Sequence, residues 1–177
     1  MRPTASGSST EIRWIPADLR TLDDNPSDLL ILSAFADERP LTGLSGLVDW
    51  RLAGTLSRWR LGGLSSGSLG ERVLTASHTR LSAPRLLFVG LGPRAHYRSD
   101  RALALAEDLV DVAYGLNARS LTLDLLRLEA LATPLERTGP RLAELLRSPG
   151  VFSHVTFISE PESISQIKDG INFFGRR

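Results

Sequence analysis

Two apolar rhythms alternate along this chain. Short runs that suit strands are followed by stripes at helical spacing. Residues 11–15 read as a first strand, with Ile12 and either Trp14 or Ile15 facing inward and Pro16 closing it. After the turn chemistry of Asp23-Asp24-Asn25-Pro26 comes a strand over residues 28–36, whose run Leu29-Leu30-Ile31-Leu32 is apolar on both faces. Such a run belongs in the middle of a sheet covered by helices on both sides. The segment from Gly43 to Gly46 then opens a helix of about four turns ending near Arg60, with Val48, Leu52, Leu56 and Trp59 as its buried stripe.

Residues 61–70 (LGGLSSGSLG) hold four glycines and three serines and predict a mobile loop. Strands over 72–77 and 86–91 follow, joined by a turn at Ser82-Ala83-Pro84. Ser99 caps a helix over 100–116 that buries Leu103, Ala106, Val110 and Ala113. Residues 120–126 form a strand. The next helix starts either at the capping box Thr133-Pro134-Leu135-Glu136 or at Gly139-Pro140, and it runs to Arg147. A strand over 152–159 and a helix over 161–174 complete the chain. This order predicts a three-layer α/β/α sandwich with a mixed, mostly parallel sheet. Residues 1–10, rich in Ser, Thr and Gly, read as a flexible arm, and 11–177 as a single domain.

Composition narrows the function. The 177 residues are 42 % hydrophobic and 23 % charged, with a net charge of +1. That is an ordinary globular composition with no electrostatic drive toward nucleic acid or an anionic membrane. All basic residues but Lys168 are arginine, and they are scattered, as a composition bias would leave them. There is no cysteine, which excludes disulfides and thiolate chemistry. No run is long enough for a membrane span and the N-terminus has no signal-like apolar core, so a cytoplasmic location is expected by elimination.

No catalytic set emerges from the titratable residues. The three histidines, His78, His96 and His154, are far apart and read as surface or packing residues. The carboxylate clusters are Asp23-Asp24, Asp37-Glu38 and Glu107-Asp108-Asp111. The first two read as hydrated turns and the third as the polar face of a helix. No cofactor or metal is expected. The glycines are better candidates for binding, because the apolar strand at 87–92 ends in Gly90-Leu91-Gly92. Backbone amides in such a turn can hold phosphate, although Pro93 removes one donor and a plain tight turn explains the same residues.

Together the segments at 28–36 (DLLILSAFA), 39–52 (RPLTGLSGLVDWRL), 70–77 (GERVLTAS) and 84–94 (PRLLFVGLGPR) resemble the N-terminal, macro-like domain of the leucyl aminopeptidase family. The resemblance covers most of residues 11–126. It implies a macro-like fold. In full-length members a larger C-terminal domain supplies the two-metal site and the catalytic lysine and arginine, and none of those motifs occurs in these residues. True macrodomains bind ADP-ribose, and Asp18 falls where their adenine-contacting aspartate follows the first strand. Residues 43–49 (GLSGLVD) resemble their first glycine-rich loop. The asparagine pair expected after the second strand is replaced by Ser33-Ala34-Phe35-Ala36, and no glycine follows residue 126 where a second phosphate loop belongs.

The leading expectation is therefore a non-catalytic interaction module acting by self-association or by docking on a protein partner, with Trp50, Phe173 and Phe174 as interface candidates. Trp59 is assigned to the core by its place on the stripe. The alternative expectation is a small-molecule module for a nucleotide or ADP-ribose-like ligand. Its crevice, at the C-terminal ends of the strands, would be lined by Asp18, Ser33, Gly43, Ser45, Gly46, Gly90 and Gly92. A metal-dependent aminopeptidase ranks last.

Overall fold

Leu29 and Ile31 point to one side of their strand and Leu30 and Leu32 to the other, and all four are fully buried. The computed structural model, which describes residues 10–131, 135–147 and 151–174, shows why. The strand Leu29–Ala34 (β2) sits inside a six-stranded sheet between two separate apolar cores. Alternation along an extended chain sends successive side chains to opposite faces, so a strand with helices on both sides must be apolar at every position.

The remaining strands are β1 (Glu11–Pro16), β3 (Arg72–Ala76), β4 (Arg85–Gly90), β5 (Ser120–Leu123) and β6 (His154–Ser159). The sheet order is β1-β6-β5-β2-β4-β3. Every neighbouring pair is parallel except the edge pair β3–β4. On one face lie α4 (Ser99–Gly115), α5 (Leu135–Arg147) and α6 (Pro161–Phe174), which bury Ala106, Leu109, Leu142 and Ile167 against Ile31, Val89 and Phe157. On the other, α1 (Leu19–Asp24), α2 (Gly43–Arg51) and α3 (Thr55–Leu61) bury Leu22, Val48 and Leu56 against Leu30, Leu32 and Phe88. The expected three-layer sandwich with a mixed, mostly parallel sheet is the observed architecture. Trp14 faces the first core and stacks on Phe157 with ring centroids 4.6 Å apart, while Ile15 packs on the second.

Several local expectations are corrected. The single helix expected from Gly43 to Arg60 is two helices, because Ala53 and Gly54 adopt left-handed φ values of 54° and 76°. Asp49 caps the second one. Its Oδ1 accepts from the Leu56 and Ser57 amides at 2.7 and 3.2 Å, supplying the partners that a new helix start needs. The stripe survives the break, with Val48, Leu52 and Leu56 buried and Trp59 half-buried.

The turn expected at 23–26 follows a short helix, α1, that the sequence reading missed and that Asp18 caps through Thr21. The helix α5 starts at Leu135 and passes through Pro140, so the start at Gly139-Pro140 is not used. The capping residues 132–134 lie outside the described residues. Residues 1–9 of the expected arm also lie outside them, whereas Thr10 is buried and donates to the Phe152 carbonyl at 2.9 Å.

The serine–glycine loop over 61–70 is anchored, contrary to the mobility expected from its composition. The Glu71 carboxylate accepts from the Ser66 and Gly67 amides at 3.1 and 2.6 Å. The Gly92 amide donates to the Gly67 carbonyl at 2.8 Å.

Candidate functional site

The parallel strands β2, β4 and β5 end side by side, and their C-terminal ends carry most of the residues that the sequence singled out. Ser33 is fully buried, and its hydroxyl donates to Asp124 Oδ2 at 2.6 Å. Ser45, in the first turn of α2, donates to the Ser33 carbonyl at 2.7 Å. Asp124, just past β5, also accepts from the Leu126 amide at 2.8 Å through Oδ1. Burial pushes the Asp124 carboxyl above its ordinary range, against the opposing pull of Arg127 and of the Ser33 hydroxyl.

Beside this cluster an ion pair closes the site. Arg127 Nη2 donates to Glu38 Oε1 at 2.6 Å and to the Thr42 carbonyl at 2.8 Å. The same carboxylate accepts from the Thr42 amide and hydroxyl at 2.8 and 2.6 Å, and its other oxygen from the Phe35 amide at 3.2 Å. Glu38 thus stitches the loop after β2 to the turn after β5. That turn puts Leu126 and Arg127 in the left-handed region, at φ 50° and 58°, where glycine is the ordinary occupant. Tyr97 holds it from above the first core, its hydroxyl donating to the Leu126 carbonyl at 2.8 Å.

Each expected crevice residue has a definite place. Gly43, at φ 55°, lies under the Arg127 guanidinium, and a Cβ there would come within 2.8 Å of Nη1. At Gly46 a Cβ would meet the Leu41 carbonyl at 2.6 Å. Gly90 faces the serine–glycine loop so closely that a Cβ would stand 2.2 Å from the Ser68 carbonyl oxygen. Gly92, at φ 72°, packs on Leu69 and accepts from the Ala36 amide at 2.9 Å. Asp18 is not brought to the others; it caps α1 beyond β1, three places along the sheet from β2. The Thr21 hydroxyl and amide hold its carboxyl below the usual range. The glycines at 43, 46 and 90 therefore permit close packing of side chains and backbone in this conformation.

Sequence reasoning missed Glu38, Asp124, Arg60 and Arg127, all buried here. Glu38 was read as a hydrated turn residue beside Asp37. Only Asp37 is exposed, where it accepts from the Arg94 amide at 3.0 Å. No local signal separates the two, because Glu38 is buried by a partner 89 positions away. Of the interface candidates, Trp50 projects from α2 with 76 % of its surface exposed. The side chains of Phe173 and Phe174 lie outside the described residues. His78 and His96 are exposed and His154 is half-buried. No group of three potential metal ligands gathers among the described residues, and no helix there is long and apolar enough to cross a membrane.

The family described as the cytosol aminopeptidase family, N-terminal domain, matches residues 31–149. This chain belongs to that family. No curated protein sequence matches it. Among solved structures, a tomato leucine aminopeptidase superposes with a TM-score of 0.64 at 18 % identity, over 96 % of this chain and 37 % of the enzyme. The chain thus spans little more than a third of that aminopeptidase. The Oceanobacillus iheyensis macrodomain superposes at 0.71 with 10 % identity, over 99 % of this chain and 97 % of its own. A Trypanosoma brucei macrodomain in complex with ADP superposes at 0.66 with 17 % identity, over 90 % and 67 %. At such identities the shared property is the fold, so this cytosol-aminopeptidase N-terminal domain has the macro-like α/β/α architecture that the sequence led one to expect.

Proposed function

We propose that this N-terminal domain is a non-catalytic accessory module of the cytoplasm that works by docking, either with a second copy of itself or with a protein partner. The observation that carries the reading is Trp50, a tryptophan left 76 % exposed on α2. Tryptophan is among the side chains that most often anchor protein interfaces. The serine–glycine loop packed over the buried Gly90 supports the same reading.

Analytical ultracentrifugation across a range of concentrations, together with partner capture from the source cytoplasm by Trp50→Arg and unaltered protein, tests it. Association or capture that the substitution abolishes supports docking. A strict monomer with no Trp50-dependent partner overturns it. Purified protein supplied with manganese or zinc is expected not to hydrolyse a leucine anilide.

The second reading is a nucleotide-like ligand at the strand ends, favoured by the fold shared with the macrodomain solved with ADP. It requires the Arg127 side chain to leave Gly43. A ligand at a hundred times its dissociation constant adds about 2.7 kcal/mol of stability, which a thermal-shift series with adenine nucleotides detects.

A further inference from the structure

β3 closes one side of the sheet and pairs with β4 alone. The bonds just beyond its two ends fix which of its residues face that neighbour. The Gly90 amide donates to the Glu71 carbonyl at 2.8 Å, and the Ser77 amide to the Pro84 carbonyl at 3.0 Å. Both pairs continue the β3–β4 register, so Val73 and Thr75 are the residues that exchange bonds with β4. The amides and carbonyls of Arg72, Leu74 and Ala76 point the other way, out of the sheet.

Native domains ordinarily blunt such an edge with proline, with charges or with a bulge. The opposite edge, β1, carries Glu11, Arg13 and Pro16. β3 has no proline, and its one charge, Arg72, stands at the end of the strand and reaches Asp108 of α4 at 3.1 Å. At its centre, Leu74 is left 47 % exposed on that same face of the sheet.

The residue order selects the occupant. Antiparallel pairing about a twofold axis at Leu74 sets that leucine against the second copy's Leu74, Val73 against its Thr75 and Arg72 against its Ala76. In this register every outward amide meets an outward carbonyl, apolar side chains meet at the centre, and the two arginines stay at opposite ends. Centring the pairing on Arg72 would set like charges face to face. Centring it on Ala76 would slide Leu74 against His78, whose left-handed φ of 49° lies beyond the end of the strand. We propose that β3 is a self-association edge, through which two copies of this chain join their sheets antiparallel by Arg72, Leu74 and Ala76. The proposal shares self-association with the docking reading but not its surface, since Trp50 lies on α2 at the other face of the sheet, and each can fail alone.

The test is sedimentation of the full chain combined with amide hydrogen exchange over a concentration series. So short an edge falls below the roughly 1,200 Å² of a stable interface, so a dissociation constant on the order of 100 μM is expected. Exchange at the Arg72, Leu74 and Ala76 amides is expected to slow as dimer forms, with Val73 and Thr75 unchanged. Leu74→Lys places like charges at the axis, and Leu74→Pro removes an outward donor without touching the β4 ladder; each is expected to weaken the dimer at least about tenfold. Trp50→Arg is expected to dimerise as the parent does. A monomer up to about ten times the expected dissociation constant would overturn the proposal. So would a dimer whose Arg72, Leu74 and Ala76 amides exchange independently of concentration, or one that Trp50→Arg abolishes and both Leu74 variants leave intact.

Discussion

Arg127 and Glu38, 89 positions apart in the chain, meet at 2.6 Å with their side chains only 11 % and 3 % exposed. The pair ties the end of β5 to the start of α2 across the strand ends. In that position it occupies the place where a ligand of a parallel α/β sheet ordinarily sits. Removing one partner strands the other in a dry site, so Arg127→Met is expected to cost about 3 kcal/mol. The double variant Arg127→Met with Glu38→Gln should cost clearly less than the sum of the singles, since the uncompensated charge is gone. Urea denaturation of the four proteins measures both. A single-variant loss below about 0.5 kcal/mol, the range of ordinary surface changes, would falsify the assignment of a buried pair.

Gly90 and Gly63 separate crowding from backbone freedom. A methyl at Gly90 meets the Ser68 carbonyl and the Gly67 backbone, so Gly90→Ala is expected to cost about 1–3 kcal/mol and to loosen the loop. Gly63, at φ 78°, faces open space, and Gly63→Ala carries only the left-handed strain of about 1 kcal/mol. Hydrogen exchange at Gly67, Gly70 and Gly92 is the readout, since their amides make the loop's bonds or bond to it. Exchange rates unchanged in Gly90→Ala would contradict the close packing.

Asp124 gives a pH signature. Its carboxyl is raised above 3.8, so the folded state keeps the proton to higher pH than the unfolded chain does. The contribution of this group to stability is therefore fully present below about pH 4 and is lost as pH rises toward the folded value. Asp124→Asn keeps acceptors and donors for the Leu126 amide and the Ser33 hydroxyl without the charge. Its melting temperature is expected to gain on the parent as pH increases from about 4 to 7. Parallel pH profiles for the two proteins would refute a raised Asp124.

Trp50 should be dispensable for the monomer. Its indole is largely in water, so Trp50→Arg is expected to change unfolding free energy by less than about 0.5 kcal/mol while abolishing any association that runs through α2. Guanidinium denaturation paired with sedimentation checks both halves. A large stability loss without any change in association would place the indole in the fold instead.

Much of the architecture was legible in periodicity alone. The unbroken run Leu29–Leu32 announced a two-faced central strand, and Val48, Leu52 and Leu56 announced a buried helical stripe, because local alternation is a direct consequence of backbone geometry. The segments from 28–36 through 84–94 were enough to identify the family that matches residues 31–149. The break at Ala53-Gly54 escaped, since an apolar stripe continues across it and only the buried Asp49 side chain reveals the second helix start.

What the tertiary structure alone decided is the state of the strand ends. The sequence placed Ser33, Gly43, Ser45, Gly46, Gly90 and Gly92 at one edge of the sheet by following the order of elements. It could not determine what packs against them, because those atoms come from elsewhere in the chain: the Arg127 guanidinium beside Gly43, and the Ser68 carbonyl over Gly90. Nor could it separate Glu38 from Asp37 or Arg60 from the other arginines. A charge is buried or hydrated according to the partners that folding brings within about 3 Å, and those contacts leave no trace in local pattern.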